Sequence, residues 1–159
     1  MTRKEIAMQY FYDGYNCAQA VVLAFFDVAD ADKETLVKIS SSFGGGIGRL
    51  REVCGTVSGM AMVLGLLYGY DDAADHDKKT ELYEKIQTLA KEFEKENGSI
   101  VCRELLGGVN GHSHPTPDKR TDEYYKKRPC AELVGMAAEM LEKFIYENPI
   151  PKGEKVCLK

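Results

Sequence analysis

None of the five cysteines, Cys17, Cys54, Cys102, Cys130 and Cys157, stands in a CxxC pair. That excludes the common zinc spacings and the thioredoxin motif. No basic stripe with interleaved aromatics occurs and the net charge is -4. A nucleic-acid partner is therefore not expected, since phosphates demand clustered Lys and Arg. The N-terminus "MTRKEIAMQYFYDG" has no sustained apolar core and does not read as a secretory signal, so a cytoplasmic location with reduced thiols is expected. There is no period-two alternation long enough for a strand, no internal repeat and no low-complexity tract. The acidic residues are spread over helix surfaces, and no carboxylate pair for acid–base work can be argued.

What remains reads as helix. At 159 residues the chain suits one domain with a hydrophobic core. Thr2 with Glu5, and Asn16 with Gln19, are capping-box signals. The first opens a helix ending before Gly14, the second the apolar run "CAQAVVLAFFDVA". Asp32 caps a third helix through Leu36, Val37 and Ile39. After a glycine loop, Gly44 to Gly48, an uncharged run from about Cys54 to Tyr70 reads as a buried helix. Its glycines and charged flanks favour a helix covered by its amphipathic neighbours over a membrane span. Asp75 opens the longest helix, with the stripe Leu82, Ile86, Leu89 and Phe93, stopped by Asn97-Gly98. Ser99 is expected to cap "IVCRELLG". Gly107 to Asp122 is an aperiodic loop of the kind that carries function. Pro129 opens the last helix, and a basic tail from about residue 147 carries Cys157. The expectation is an all-α, single-domain bundle of six or seven helices, residues 1–159, around a buried glycine-containing central helix.

On this reading Cys17, Cys54, Cys102 and Cys130 all lie in the first turn of separate helices. Unpaired N–H groups and the helix dipole favour a thiolate there, and thiolate is both nucleophile and metal ligand. Basic neighbours add to this: Arg49 and Arg51 before Cys54, Arg103 after Cys102, and Lys126, Lys127 and Arg128 before Cys130. Cys54, with a helix start, two nearby arginines and a glycine approach, is expected to be the most reactive or most important thiol, labelled early below neutral pH. The competing reading is four inert buried cysteines acting as small hydrophobes.

The run Cys54-Gly55-Thr56-Val57-Ser58-Gly59 resembles the CGAxxG motif of a redox-active protein family named for the cysteine pattern C_GCAxxG_C_C. Cys17 in "GYNCAQAV" is similar to its first cysteine, and Cys102 and Cys130 fall where its last two are expected. Thr56 departs from the motif's Ala, and Cys157 lies outside the pattern. The resemblance implies redox chemistry carried by these cysteines.

The glycine loop, Gly44, Gly45, Gly46 and Gly48 with Arg49 and Gly55, can bring backbone N–H groups near Cys54 and whatever binds there. It is neither a P-loop nor a dinucleotide fingerprint. His112 and His114 form a weak metal-binding HxH, and His76 reads as a solvated residue. Two functional classes follow. In the first, a redox or electron-transfer protein, an oxidoreductase among the options, uses the four thiols as a dithiol/disulfide or as ligands of an iron–sulfur cluster or other thiolate-bound metal. Its partners would be a redox partner of unspecified identity, with a homodimer as a further option, and neither nucleic acid nor membrane. In the second, the chain is a non-catalytic helical binding or adaptor module.

Overall fold

A computed structural model describes residues 1–108 and 113–150; His112 and Cys157 lie outside them. The two capping boxes are formed reciprocally. Thr2 and Glu5 start α1 (Arg3–Tyr12), and Asn16 and Gln19 start α2 (Cys17–Leu23). Asp32 caps α3 (Lys33–Ser41) and Asp75 caps α5 (His76–Asn97), each accepting from a backbone N–H at 2.9 Å. Such caps are worth about 1 kcal/mol each. Gly98, at φ +84°, ends α5 in the left-handed conformation that glycine adopts most readily.

The remaining helices are α4 (Gly55–Tyr68), α6 (Cys102–Leu105), α7 (Asp122–Lys127) and α8 (Cys130–Glu147). The described residues thus hold eight α-helices and no strand, an all-α fold. The expected count of six or seven missed α7. Its sequence DEYYKK has no apolar stripe, and its support is local: Thr121 caps it, and Lys127 pairs with Glu123 at 2.5 Å. It also docks by tertiary contact, with Tyr125 edge-on to Phe11 at 6.0 Å. Two boundaries also differ. α2 stops at Leu23, because the Arg3 guanidinium takes the Ala24 carbonyl at 2.5 Å and pairs with Asp27. A 3-10 turn, Phe26–Val28, follows. Ser99 does not cap α6; its hydroxyl accepts from Val101 N–H and meets the Glu104 carboxylate, and the helix begins at Cys102.

One hydrophobic cluster takes buried residues from α1, α2, α3, α4, α5 and α8. α1 packs on α8 and α2, while α4 packs on α2, α5 and α8. No residue of α4 is fully exposed, and Met60, Val63 and Leu64 are almost wholly buried. Among the described residues no helix is long and apolar enough to cross a membrane.

The contact of α4 with α2 depends on two glycines. A methyl added at Gly59 would lie 2.9 Å from Val21 Cβ and 3.0 Å from the Ala18 carbonyl oxygen. One added at Gly55 would lie 2.9 Å from the Phe43 carbonyl oxygen and 3.1 Å from Cys17 Cβ. These neighbours are backbone or Cβ atoms that cannot swing aside. Gly65 has nothing within 4 Å of the same added atom. Gly59→Ala is therefore expected to destabilise the fold by a net of about 1–2 kcal/mol, overpacking outweighing the gain in helix propensity. Gly65→Ala should stabilise it by up to about 1 kcal/mol. Urea unfolding midpoints moving the same way in both variants would contradict this account of the α2–α4 contact.

Candidate functional site

The close approach of α2 and α4 sets Cys17, the first residue of α2, beside the start of α4, which Cys54 caps. A second device adds Cys102. Val53 and Val101 form an isolated antiparallel bridge. Across it Cys54 N–H donates to the Ile100 carbonyl at 2.8 Å, and Cys102 N–H donates to the Glu52 carbonyl at 2.6 Å. Cys130 arrives as the first residue of α8. All four cysteines line one pocket of about 260 Å³, and Cys17 feels the charges of the other three.

The glycine loop forms another wall. Gly45, Gly46, Ile47, Gly48 and Arg49 have five consecutive positive φ angles between 53° and 69°, and Arg51 follows at 62°. Ile47, Arg49 and Arg51 each pay a cost of about 1–2 kcal/mol for that conformation. Hydrogen bonds that skip back five or six residues hold it, from Arg49 N–H to Gly44, Arg51 N–H to Gly45 and Glu52 N–H to Gly46. Gly46 cannot be replaced without collision, since an added methyl would lie 2.7 Å from Cys102 Cβ. Gly44, Gly45, Gly46, Gly48, Arg49 and Gly55 all line the pocket.

The third wall comes from the long loop and α7: Pro115, Pro117, Asp118, Arg120 and Tyr124. Asp118 Oδ2 accepts from Arg49 at 3.2 Å and from Arg128 at 2.8 Å, and the Arg49 hydrogen bond leads in holding its carboxyl below the usual range. Arg120 lies over the rings of Phe11 at 4.3 Å and Tyr124 at 4.9 Å. Sequence reasoning named Arg128 but missed Asp118, Arg120 and Tyr124. The loop's lack of periodicity marks it as a functional candidate, yet no spacing within it ties these residues to a distant thiol. His114 is exposed and outside the pocket lining; its carbonyl accepts from Arg49 Nε at 2.7 Å.

The electrostatics correct the expectation for Cys54. Burial pushes its thiol up to about 11, against the opposing hydrogen bond with Thr56 Oγ1 at 2.6 Å. The arginines before it point elsewhere. Arg51 reaches Ser113 Oγ at 2.7 Å and Cys102 Sγ at 3.7 Å, while Arg49 is held by Asp118 and His114. Arg103 pairs with Glu52 at 3.1 Å. Burial also raises the Cys102 thiol, with Arg51 opposing it. The thiol that ionises readily is Cys130, lowered to about 7. The leading cause is a hydrogen bond from Cys17, followed by the charges of Arg128, Arg120 and Arg51 against desolvation. Cys17 is correspondingly raised well above the ordinary thiol value, first by that hydrogen bond and then by burial. In this pair Cys17 S–H donates and the Cys130 thiolate accepts.

The four thiols share a pocket without converging on a metal ion. Among the described residues no group of three or more Cys, His, Asp or Glu is placed to hold one. As the side chains stand, the donor set does not fit a single thiolate-bound metal.

Alkylation of the metal-free protein should show Cys130 labelled with a pH midpoint near 7 and Cys54 silent until well above pH 9. Cys17→Ala removes the donor that stabilises the Cys130 thiolate, so the midpoint should move up. A rise of one unit lowers the thiolate fraction at about pH 6 by about tenfold. Peptide mapping that finds Cys54 labelled before Cys130 would reverse the assignment.

A family comparison matches residues 15–144 to the family described as "Putative redox-active protein (C_GCAxxG_C_C)". No curated protein and no solved structure matches the chain. The match spans Cys17, the Cys54-Gly55 motif, Cys102 and Cys130, the four thiols around the pocket, and the chain belongs to this redox-active protein family.

Proposed function

We propose that this chain is a thiol–disulfide redox protein in which Cys130 is the attacking thiolate and Cys17 the resolving thiol. The observation that carries the reading is that Cys17 and Cys130 line one pocket with Arg49, Arg51, Arg120 and Arg128 and shift each other's ionisation in opposite directions, Cys130 down and Cys17 up. A thiol with a pKa near ambient pH is the optimum attacker, being ionised yet still nucleophilic. Cys130 thiolate attacks one sulfur of a substrate disulfide R–S–S–R′. The Cys130–S–R mixed disulfide forms and R′S⁻ leaves, taking a proton from solvent. Cys17 then loses its proton, attacks Cys130 Sγ and forms the Cys17–Cys130 disulfide, and RS⁻ leaves with that proton. Two thiols are oxidised and one substrate disulfide is reduced. The reverse sequence oxidises a substrate dithiol.

The single-metal version is less well supported, because among the described residues no three donors group around one ion. The inert-module reading has against it the low pKa of Cys130 and the family description.

Reduced protein treated with 2-hydroxyethyl disulfide, then quenched and mapped, should yield a Cys17–Cys130 linked peptide. Cys17→Ser should stop at the mixed disulfide on Cys130, and Cys130→Ser should abolish both species. A linked Cys54–Cys102 peptide instead, or no linkage, would refute the pair assignment. Anaerobically purified protein is expected to carry no stoichiometric iron or zinc, and a visible charge-transfer band with matching iron content would favour the cluster.

A further inference from the structure

Among the described residues, four guanidinium groups, from Arg49, Arg51, Arg120 and Arg128, line the pocket against a single carboxylate, Asp118. Three of the four are already engaged. Asp118 takes Arg49 and Arg128, and Arg51 donates to Ser113 and to Cys102. Arg120 differs. Its Nη2 donates to the Tyr15 carbonyl at 3.3 Å, while its Nη1 is buried and has no hydrogen-bond partner among the described residues. A buried charged donor left without a partner is costly, and the usual remedy is an acceptor supplied by a ligand. The guanidinium cannot drift out to water cheaply, because it is stacked on Phe11 and Tyr124. It also stands close enough to Cys130 to stabilise that thiolate.

We propose that the pocket selects small anionic disulfides, bearing a carboxylate on the arm beside the S–S bond, with Arg120 Nη1 as the donor that receives the carboxylate. The proposal rests on the thiol–disulfide reading above and adds the substrate class to it. At about 260 Å³ the pocket has room for a low-molecular-weight disulfide. A carboxylate on Arg120 sets the adjacent sulfur near Cys130. The excess positive charge then also steadies the thiolate that leaves.

The test compares three small disulfides on the reduced Cys17→Ser protein, which accumulates the mixed disulfide at Cys130. They are 3,3′-dithiodipropionate (anionic), 2-hydroxyethyl disulfide (neutral) and cystamine (cationic). Each rate is divided by that disulfide's rate with free 2-mercaptoethanol at the same pH, which removes intrinsic reactivity. The anionic disulfide should be favoured over the neutral one by about tenfold, as expected for one charge-assisted hydrogen bond, with the cationic one slowest. Arg120→Met keeps an apolar body over Phe11 and Tyr124 and should bring the anionic-to-neutral ratio near one; Arg120→Lys should keep part of it. Because a ratio is read, any change in Cys130 ionisation cancels. Should Arg120→Met fail to fold by circular dichroism, Arg120→Lys and the salt series decide. Raising salt from about 0.01 M to about 1 M should shrink the wild-type ratio. A ratio near one at low salt, or one unmoved by Arg120→Met, overturns the substrate class while leaving the redox pair intact. Failure of all three disulfides to modify Cys130 overturns the redox reading itself.

Discussion

The site depends first on how closely α4 can lie against α2. Gly55 and Gly59 stand one turn apart on the face of α4 that meets Cys17, Ala18 and Val21, with no room for a methyl at either. Larger residues there would push the two helix starts apart and carry Cys17 away from Cys54. The glycines of the motif are thus a packing requirement, and its cysteine depends on them for its neighbours. The same logic runs through the preceding loop. Gly46 lets the chain pass against Cys102 Cβ, and the Val53–Val101 bridge fixes the backbone of Cys54 beside that of Cys102.

Helix starts alone do not decide which thiol ionises. Three of the four cysteines are the first residue of their helix and the fourth is a cap, so a dipole at that position is common to all. Their pKa values nevertheless diverge, from about 7 at Cys130 to about 11 at Cys54. The discriminating terms are local. Cys54 is 5 % exposed and has one hydroxyl for company, so desolvation wins. Cys130 is half-buried, receives a hydrogen bond from a neighbouring thiol and lies within the field of three arginines. Thr56, the departure from the family's Ala, contacts the Cys54 sulfur, so that side chain has a direct influence on the buried thiol.

The helices and the cysteine positions were legible in the sequence because their causes are local. Thr2–Glu5 and Asn16–Gln19 satisfy backbone donors three residues away, and Leu82, Leu89 and Phe93 share one helix face. The direction of the charges was not legible. Arg49 and Arg51 precede Cys54 by a few residues, and sequence proximity suggested that they serve it. The run of positive φ angles turns both side chains toward the long loop and Cys102 instead. A left-handed stretch containing an isoleucine and two arginines opposes local preference and is held by hydrogen bonds across five and six residues and by Asp118. Arg120 was invisible for a similar reason. Its neighbours in space are Phe11 and Tyr15, more than a hundred residues away in the chain, and Cys130 at the start of α8, and no periodicity connects them.

The Cys17–Cys130 pair also contains its own order of events. In the reduced state Cys17 is hard to ionise, first because its proton is shared with the Cys130 thiolate, then through burial, then through the neighbouring negative charge. Two of those causes belong to the charge on Cys130. Once Cys130 carries a mixed disulfide, that charge and its hydrogen bond are gone, and of these only burial continues to oppose Cys17. The arginines that served the Cys130 thiolate remain, with no thiolate at Cys130 to offset them. The second thiol therefore becomes a better nucleophile when, and because, the first has reacted. A dithiol in which both members ionised freely would lack this sequence, and so would one in which both were as buried as Cys54. The asymmetry between one thiol held in the field of arginines and a neighbouring thiol that supplies it with a proton lets two chemically identical side chains take different roles.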